Sequence, residues 1–207
     1  LAIHAEWPEA IVVYPQGLPT PGKLTDPEGK RAGWQAGAGA QDDRDLRFFD
    51  AMLATLLAEG RVDPLRGYAT GHSNGGAFTY LLWAERGDAF AAFAPSASLL
   101  SRGFEKATPK PVLYVGSPGD PLVKYAWQAR MIDAVLALNG CESRRDHATG
   151  YASYPSKLGA EVAVFLHDGG HRYPREATGH IVAFFQKHAQ PAAKDDGQNL
   201  TGRQATD

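Results

Sequence analysis

Short apolar runs alternate with amphipathic segments along most of this chain, and that alternation restricts its fold more than any other feature of the sequence. Each run is continuously apolar, which is typical of strands that are covered on both faces. The runs occupy residues 10–14, 67–70, 90–94, 112–115 and 162–166. Segments with apolar side chains at helical spacing occupy residues 42–59, 74–85, 122–139 and 178–188. The pattern predicts a mostly parallel sheet with helices on both of its faces.

Asp42 and Asp43 lie at the start of the first predicted helix, and we interpret them as helix caps rather than as a catalytic carboxylate pair. Three segments fall outside the alternating pattern. Residues 16–39 are rich in glycine and proline, which predicts a long loop. Residues 141–157 form an insertion that a short hairpin would explain, and residues 191–207 are polar and predict a disordered tail.

The composition narrows the classes of function. The chain has 207 residues, of which 43% are hydrophobic and 21% charged, and this is typical of one globular domain, expected over residues 1–190. The net charge is −2 and no basic stripe is visible, so no nucleic-acid or anionic-membrane partner is expected. No apolar run approaches the ~18 residues that a membrane span needs. The single cysteine, Cys141, excludes an internal disulfide and a cysteine-based zinc site.

One motif carries a specific chemical prediction. Residues 71–75 read G-H-S-N-G, which matches G-x-S-x-G, and they lie directly between a predicted strand and a predicted helix. In this context the serine occupies a sharp turn with its hydroxyl exposed, so Ser73 is the candidate nucleophile. The backbone N–H of Asn74, at the start of the helix, is the candidate donor to an oxyanion. A glycine-rich turn with an incidental serine is the structural alternative.

A serine hydroxyl needs a base and the base needs an acid, and two candidates exist for each role. His171 follows two glycines after the last predicted strand, whereas His167 ends that strand and is expected to pack locally. Asp120 follows the preceding strand, whereas its rival Asp168 is interpreted as a turn residue. Serine, acid and histidine then follow one another in the order that this motif's fold requires. Because two glycines separate the two histidines, their spacing does not indicate a metal site.

Four further residues are candidates for contact with a substrate. His72 is next to the nucleophile in sequence and is expected to line the pocket without acting as the base, because adjacent residues of the turn diverge. Trp34, Tyr125 and Tyr173 are the aromatic side chains expected near the site. Ordinary packing is an equal alternative for each of these aromatic residues.

Six short blocks, taken in order, lie between residues 11 and 188. They read VVYPQG at 12–17, GWQ at 33–35, GHSNGG at 71–76, FAAFAP at 90–95, DPLVKY at 120–125 and GGHRYP at 169–174. Together they resemble the polyhydroxybutyrate depolymerase and feruloyl esterase-like branch of the α/β-hydrolases. The resemblance implies an α/β-hydrolase fold with Ser73 as nucleophile, Asp120 as acid and His171 as base. It also implies an enzyme that is secreted.

The resemblance breaks down at the front of the chain. Residues 1–10 look like a helix cut part-way, and the family's preceding strand, whose His-Gly loop gives a second oxyanion donor, is absent from the sequence. The resemblance places that strand between the strand at residues 10–14 and the strand before Ser73, where a gap would leave two sheet edges unpaired. We therefore expect a longer parent chain, with N-terminal strands missing here, and an enzyme remodelled at this end is the alternative. Since members of this family often bridge such a cysteine, the resemblance also implies a disulfide partner for Cys141 in the missing part.

The function expected from these residues is hydrolysis of a carboxylic ester through an acyl-enzyme, with no cofactor or metal. A feruloyl or acetyl-xylan type esterase is the favoured substrate class, acting on a small-molecule or polymeric ester. A polyhydroxyalkanoate or polyester depolymerase is the alternative within the same chemistry. An inactive hydrolase-fold binding protein is the alternative outside it.

Overall fold

The computed structural model describes residues 2–22, 24–143 and 149–190. Within those residues, the α-helices are α1 (Ile3–Glu6), α2 (Arg44–Ala58), α3 (Asn74–Arg86), α4 (Tyr125–Leu138) and α5 (Ala177–Lys187). The strands are β1 (Leu18–Pro19), β2 (Ala32–Gly33), β3 (Tyr68–His72), β4 (Ala92–Ser96), β5 (Val112–Gly116), β6 (Gly150–Tyr154) and β7 (Val162–Leu166). The predicted tail, residues 191–207, lies outside the described residues.

Five of these strands form one sheet in the spatial order β3-β4-β5-β7-β6. Strands β3, β4, β5 and β7 are parallel, and β6 runs antiparallel to β7 at one edge. The mostly parallel sheet predicted from the sequence is therefore confirmed. Because the parallel strands share a direction, the loops after β3, β5 and β7 meet at one edge of the sheet, which is where ligands bind in such folds.

The prediction of a strand at residues 10–14 is wrong. This run forms no strand, and Ile11, Val13 and Tyr14 are 49%, 43% and 52% exposed. A buried strand needs a hydrogen-bonded neighbour and cover on both faces, and among the described residues no strand pairs with this run. The other four predicted strands are present, and the last coincides with β7.

The main sheet buries a different set of side chains on each face. Val112 and Tyr114 of β5 belong to the larger core cluster, together with residues of α2, α3 and α4. Their neighbours Leu113 and Val115 belong to a smaller cluster with residues of α1 and α5. Because successive side chains of a strand point to opposite faces, a continuously apolar strand supplies both clusters. The helices thus cover both faces, as the sequence predicts.

The start of α2 differs from the capping interpretation, which is wrong. Asp42 and Asp43 lie before the helix with left-handed φ values of 52° and 53°, and Asp43 makes no side-chain capping bond. The Gln35 side chain takes that place, since its Oε1 accepts the N–H groups of Asp45 and Leu46 at 3.0 and 3.2 Å. A glutamine ten residues upstream is not a local capping signal, so the sequence pattern did not indicate it.

The insertion at residues 141–157 adds one edge strand to the sheet. Strand β6 pairs with β7 from Gly150 opposite Leu166 to Tyr154 opposite Val162, while residues 144–148 of the predicted hairpin lie outside the described part of the chain. Cys141 is half-buried and free, and burial raises the pKa of its thiol.

Candidate active site

Ser73 lies at the turn between β3 and α3, and the backbone there is strained. Its φ and ψ are 57° and −118°, a combination that residues with a Cβ rarely adopt. A Cβ on Gly71 would overlap the carbonyl of Gly75, and one on Gly76 would lie 2.6 Å from a carbonyl oxygen of β4. Gly75 itself has room for a Cβ, whose nearest neighbour would be Trp34 Nε1 at 3.9 Å. The turn therefore requires glycine at positions 71 and 76 rather than at both ends of the five-residue motif.

The structure brings Ser73, His171 and Asp120 together at the carboxyl edge of the sheet. Ser73 Oγ lies 2.9 Å from His171 Nε2, and His171 Nδ1 lies 2.8 Å from Asp120 Oδ2. A carboxylate at Nδ1 favours the tautomer that carries its proton there, which leaves Nε2 free to accept the serine proton. The His171 side chain is 19% exposed and that of Asp120 is fully buried. Such an arrangement can deprotonate a serine hydroxyl and stabilise the imidazolium that forms.

Four donors surround the Asp120 carboxylate. Oδ1 accepts the backbone N–H groups of Leu122 and Val123 at 2.8 and 2.9 Å. Oδ2 accepts the side-chain amide of Gln128 at 3.0 Å in addition to His171. Helix α4 begins five residues after Asp120, so this carboxylate orders the turn before the helix instead of capping the helix itself. The turn fixes the rotamer in which one oxygen faces the imidazole.

The loop after β7 is tied down by side chains on both of its flanks. The Gly170 N–H donates to Ser117 Oγ at 3.2 Å, and the Gly169 N–H donates to His167 Nδ1 at 3.1 Å. Burial lowers the pKa of His167, which keeps Nδ1 available as an acceptor. His167, the other candidate for the base, therefore stabilises this turn. Asp168, the other candidate for the acid, is exposed on the same loop.

His72 lies between β4 and the loop after β7. Its Nδ1 is 3.0 Å from Ser96 Oγ, and its Nε2 is 3.3 Å from the carbonyl oxygen of His171. The His72 ring is 5.0 Å from the His171 ring and meets the Tyr173 ring edge-on at 6.1 Å. Burial, and secondarily the positive charge of His171, lower the pKa of His72. His72, which directly precedes the candidate nucleophile, therefore contacts the backbone of His171, the candidate base.

Asn74 is the first residue of α3, so its backbone N–H has no acceptor within the helix and is available at the site. Its side chain makes a second connection: Oδ1 accepts the Trp34 N–H at 2.7 Å and Nδ2 donates to the Trp34 carbonyl at 3.1 Å. The Trp34 ring stacks on Phe78 at 5.0 Å. These contacts fasten the long loop to the helix that follows Ser73. This role of the Asn74 side chain was not predicted from the sequence, although a polar residue directly after the nucleophile is a signal for such a contact.

The predicted aromatic contacts lie in different surroundings. Tyr173 is half-buried beside His72, its hydroxyl is 3.3 Å from Thr178 Oγ1, and burial raises its pKa. Tyr125 opens α4 and packs, partly buried, against the larger core cluster. Packing is therefore the observed environment of Tyr125, and a role in binding substrate stays a prediction for all three aromatic residues.

Three supporting residues carry no motif and were missed by the sequence analysis: Ser96, Ser117 and Gln128. Gln128 is fully buried, and only the fold reveals that its amide faces a carboxylate eight residues away. In the part of the chain that the structure describes, no group of three or more His, Cys, Asp or Glu side chains is placed to hold a metal ion. The helices among those residues are all too short or too polar to cross a membrane.

Solved structures define the class of fold. The Bacillus cereus carboxylesterase has a TM-score of 0.52 at 16% identity, with coverage of 76% of this chain and 68% of that one. An acetyl xylan esterase from Aspergillus awamori has a TM-score of 0.55 at 12% identity, with coverage of 75% and 73%. At these identities the likeness concerns the fold alone, and the fold is that of the α/β-hydrolases.

Relatives identified by sequence are more specific, although no family model matches the chain. The chain is 27% identical over 156 residues to a protein of Aspergillus flavus named "Probable feruloyl esterase C", covering 72% of this chain and 56% of that protein. It is 29% identical over 160 residues to feruloyl esterase C of Emericella nidulans, covering 70% and 55%. The chain therefore spans about half the length of the curated relatives it matches. These relatives confirm the resemblance to feruloyl esterase-like proteins.

Proposed function

We propose that this chain is a serine carboxylic-ester hydrolase. The observation that carries the proposal is the line of Ser73, His171 and Asp120, joined by contacts of 2.9 and 2.8 Å at the ligand-binding edge of an α/β-hydrolase sheet. The names of the sequence relatives support the same activity. The proposal assigns catalysis to residues 1–190 and gives no part in it to residues 191–207.

In the proposed mechanism, Ser73 Oγ attacks the ester carbonyl while His171 Nε2 takes the hydroxyl proton. Asp120 keeps the imidazole oriented and stabilises its protonated form, and the Asn74 N–H donates to the oxyanion. His171 then gives the proton to the departing alcohol, which leaves the acyl group on Ser73. Water loses a proton to His171 as it attacks this acyl-enzyme, and release of the acid returns that proton to Ser73. These steps need no metal ion or cofactor.

For the substrate we propose a feruloyl ester, with acetylated xylan as the second candidate. The relatives named feruloyl esterase C support the first. The Trp34 ring lies beside Gly75 of the turn at Ser73, and the Tyr173 ring meets His72 edge-on. Apolar rings at these positions favour a flat aromatic acid. A polyester depolymerase rests on the family resemblance alone. Because the natural feruloyl and xylan esters are polymers, the proposal includes a location outside the cytoplasm.

Hydrolysis of p-nitrophenyl butyrate by the purified chain tests the activity. Ser73→Ala is expected to lower kcat by on the order of 10⁴- to 10⁶-fold, because the nucleophile is lost. Ser101→Ala, at an exposed serine of the same chain, is the matched control and keeps the parent rate. A serine-directed phosphonate is expected to label Ser73 alone.

If the unsubstituted 207-residue chain, here called the parent, is folded but shows no turnover and no phosphonate label, the inactive binding protein would be favoured. Equal turnover by the parent and Ser73→Ala would remove Ser73 from the mechanism.

The substrate class is tested by comparing kcat/KM for methyl ferulate, acetylated xylan and hydroxybutyrate oligomers at one pH. The feruloyl proposal requires kcat/KM for methyl ferulate to exceed kcat/KM for methyl esters of non-aromatic acids of similar size. A higher value for hydroxybutyrate oligomers would replace it with the depolymerase assignment, without affecting the proposed chemistry at Ser73.

A further inference from the structure

Four contacts form a closed ring that contains both the nucleophile and its base. The Ser73 N–H donates to the carbonyl of Ser96 at 2.9 Å, and Ser96 Oγ lies 3.0 Å from His72 Nδ1. His72 Nε2 lies 3.3 Å from the carbonyl oxygen of His171, and His171 Nε2 lies 2.9 Å from Ser73 Oγ. Because the ring closes on the residue where it starts, the position of His72 constrains the separation of Ser73 and His171.

Donor and acceptor chemistry fixes the protons of this ring. A carbonyl oxygen only accepts, so the His72 Nε2 that faces the His171 carbonyl must carry a hydrogen. The neutral ring then has a bare Nδ1, to which the Ser96 hydroxyl donates. In the other neutral tautomer, a bare Nε2 would face the carbonyl oxygen with no hydrogen between them. Of the two neutral tautomers, only the Nε2–H form therefore completes the ring of contacts.

The charged and titratable groups around His72 favour its neutral form. The groups that face it are His171, Asp120, His167 and Tyr173. Burial and a protonated His171 lower the pKa of His72, and these effects exceed the opposing ones of the hydrogen bond to the His171 carbonyl and of Asp120. A proton on His72 would place a second cation 5.0 Å from the His171 ring while that ring is an imidazolium.

We propose that His72 is a positioning residue that holds the backbone of His171 and thereby sets the distance from the base to the Ser73 hydroxyl. This inference rests on the proposed function. The contacts at Gly169 and Gly170 hold the residues before the base, whereas the contact from His72 reaches the peptide group of the base itself. In this role His72 contacts neither the substrate nor the proton that moves between Ser73 and His171.

Two amide variants separate the two ring nitrogens of His72. In His72→Gln the amide nitrogen reaches the place of Nε2 and can donate to the His171 carbonyl. In His72→Asn the shorter amide reaches only Ser96. We expect His72→Asn to lower kcat on p-nitrophenyl butyrate by about 10- to 100-fold with KM nearly unchanged, because a displacement of about 1 Å at the base costs that much. His72→Gln is expected to stay within about threefold of the parent.

The split between kcat and KM gives a readout that a merely structural role would not produce. A displaced base lowers kcat with KM nearly unchanged, whereas a general loss of structure around the site would change KM as well. Rescue of kcat by His72→Gln, which restores a donor to the His171 carbonyl, would show that this one contact carries the effect. His180→Gln, on α5 and outside the ring of contacts, should keep the kcat and the KM of the parent.

The tautomer can be measured without turnover, which separates this inference from the proposed function. Nitrogen-15 NMR of the parent at neutral pH should show His72 protonated at Nε2 and bare at Nδ1, and the opposite tautomer would overturn the inference whether or not esters are cleaved. In an active parent, equal rates for the parent and His72→Asn would overturn it as well. If His72→Asn does not fold, Ser96→Ala replaces it, because it removes the contact that holds the His72 ring at Nδ1. It should lower kcat in the same direction while Nε2 stays protonated, and a kcat equal to that of the parent would overturn the inference.

Discussion

The carboxyl edge of the sheet and the N-terminal segment, residues 2–39, are held to the molecule in different ways. Ser73, Asp120 and His171 follow β3, β5 and β7, and every residue of β5 and β7 is buried. The N-terminal segment contains helix α1, whose Ile3 packs in the smaller core cluster, and two short strands that pair with each other. Polar side-chain contacts such as that of Asn74 with Trp34 attach its long loop. Many buried side chains hold the sheet together, whereas a single polar contact is lost with one substitution. One substitution should therefore loosen the N-terminal segment but not the sheet edge.

The largest expected effect tests whether the sheet edge distinguishes its two histidines. His171→Ala should lower kcat by on the order of 10⁴- to 10⁶-fold, because His171 Nε2 is the group that lies within hydrogen-bond distance of the Ser73 hydroxyl. His167→Ala should cost less than about 100-fold, because it only frees the Gly169 N–H of the turn. Initial rates with p-nitrophenyl butyrate, on variants whose folding is checked by circular dichroism, decide the point. Equal losses in the two folded variants would show that the base is misassigned.

The acid provides the second comparison at the same edge. Asp120→Asn should lower kcat by on the order of 10⁴-fold, because an amide that donates to Nδ1 moves the imidazole proton to Nε2 and blocks its use as a base. Asp168→Asn, at an exposed position of the loop, should leave the rate nearly unchanged. The reverse ranking of the two rates would move the acid to Asp168.

The three candidate catalytic residues at the sheet edge could be predicted from the sequence, because each of them follows a segment with the pattern of a strand. Continuously apolar runs predicted β5 and β7, and the residues just past strand ends of a parallel sheet meet by geometry. The motif added the strained turn at Ser73, whose glycines 71 and 76 leave no room for a Cβ. The two glycines before His171, together with the position of His167 at the end of β7, favoured His171 as the base.

The structure of the N-terminal segment could not be predicted in this way. The apolar run at residues 10–14 has the composition of a strand, but strand formation depends on a hydrogen-bonding neighbour that composition does not report. The contacts of Gln35 with the start of α2 and of Asn74 with Trp34 join residues 10 to 40 positions apart. Single long-range polar contacts have no periodicity, so no pattern in the sequence predicts them.

Gln35 offers the larger perturbation of the N-terminal segment. Gln35 is 1% exposed and its side chain binds the N–H groups of Asp45 and Leu46, so Gln35→Ala should lower the free energy of unfolding by about 1–3 kcal/mol. The measurement is urea unfolding followed by circular dichroism. Gln16→Ala, at an exposed glutamine of the same segment, should change stability little. Equal midpoints for Gln35→Ala and the parent would mean that α2 begins without this cap.

Asn74 offers a smaller and more local perturbation. Asn74→Ala removes both contacts with Trp34 and should cost about 1–2 kcal/mol locally, so trypsin should cut faster at Lys30 or Arg31 while the sheet stays folded. Asn74→Asp keeps an acceptor for the Trp34 N–H and should be cut at an intermediate rate. An unchanged cleavage pattern in Asn74→Ala would show that other contacts hold this segment.

The smallest expected effect concerns the pH dependence of stability at the sheet edge. Burial lowers the pKa of His167 in the folded chain, whereas the unfolded chain has the ordinary value of about 6.5. As the pH falls below that value, the unfolded state takes up a proton that folded His167 does not, so the free energy of unfolding decreases until the folded pKa is reached. In His167→Asn the amide oxygen can still accept the Gly169 N–H but does not titrate, so thermal unfolding between pH 7 and about pH 5 should depend less on pH than in the parent. Because His72 shifts in the same direction and remains in this variant, the dependence should flatten without disappearing, and an unaltered slope would show that His167 is equally basic in both states.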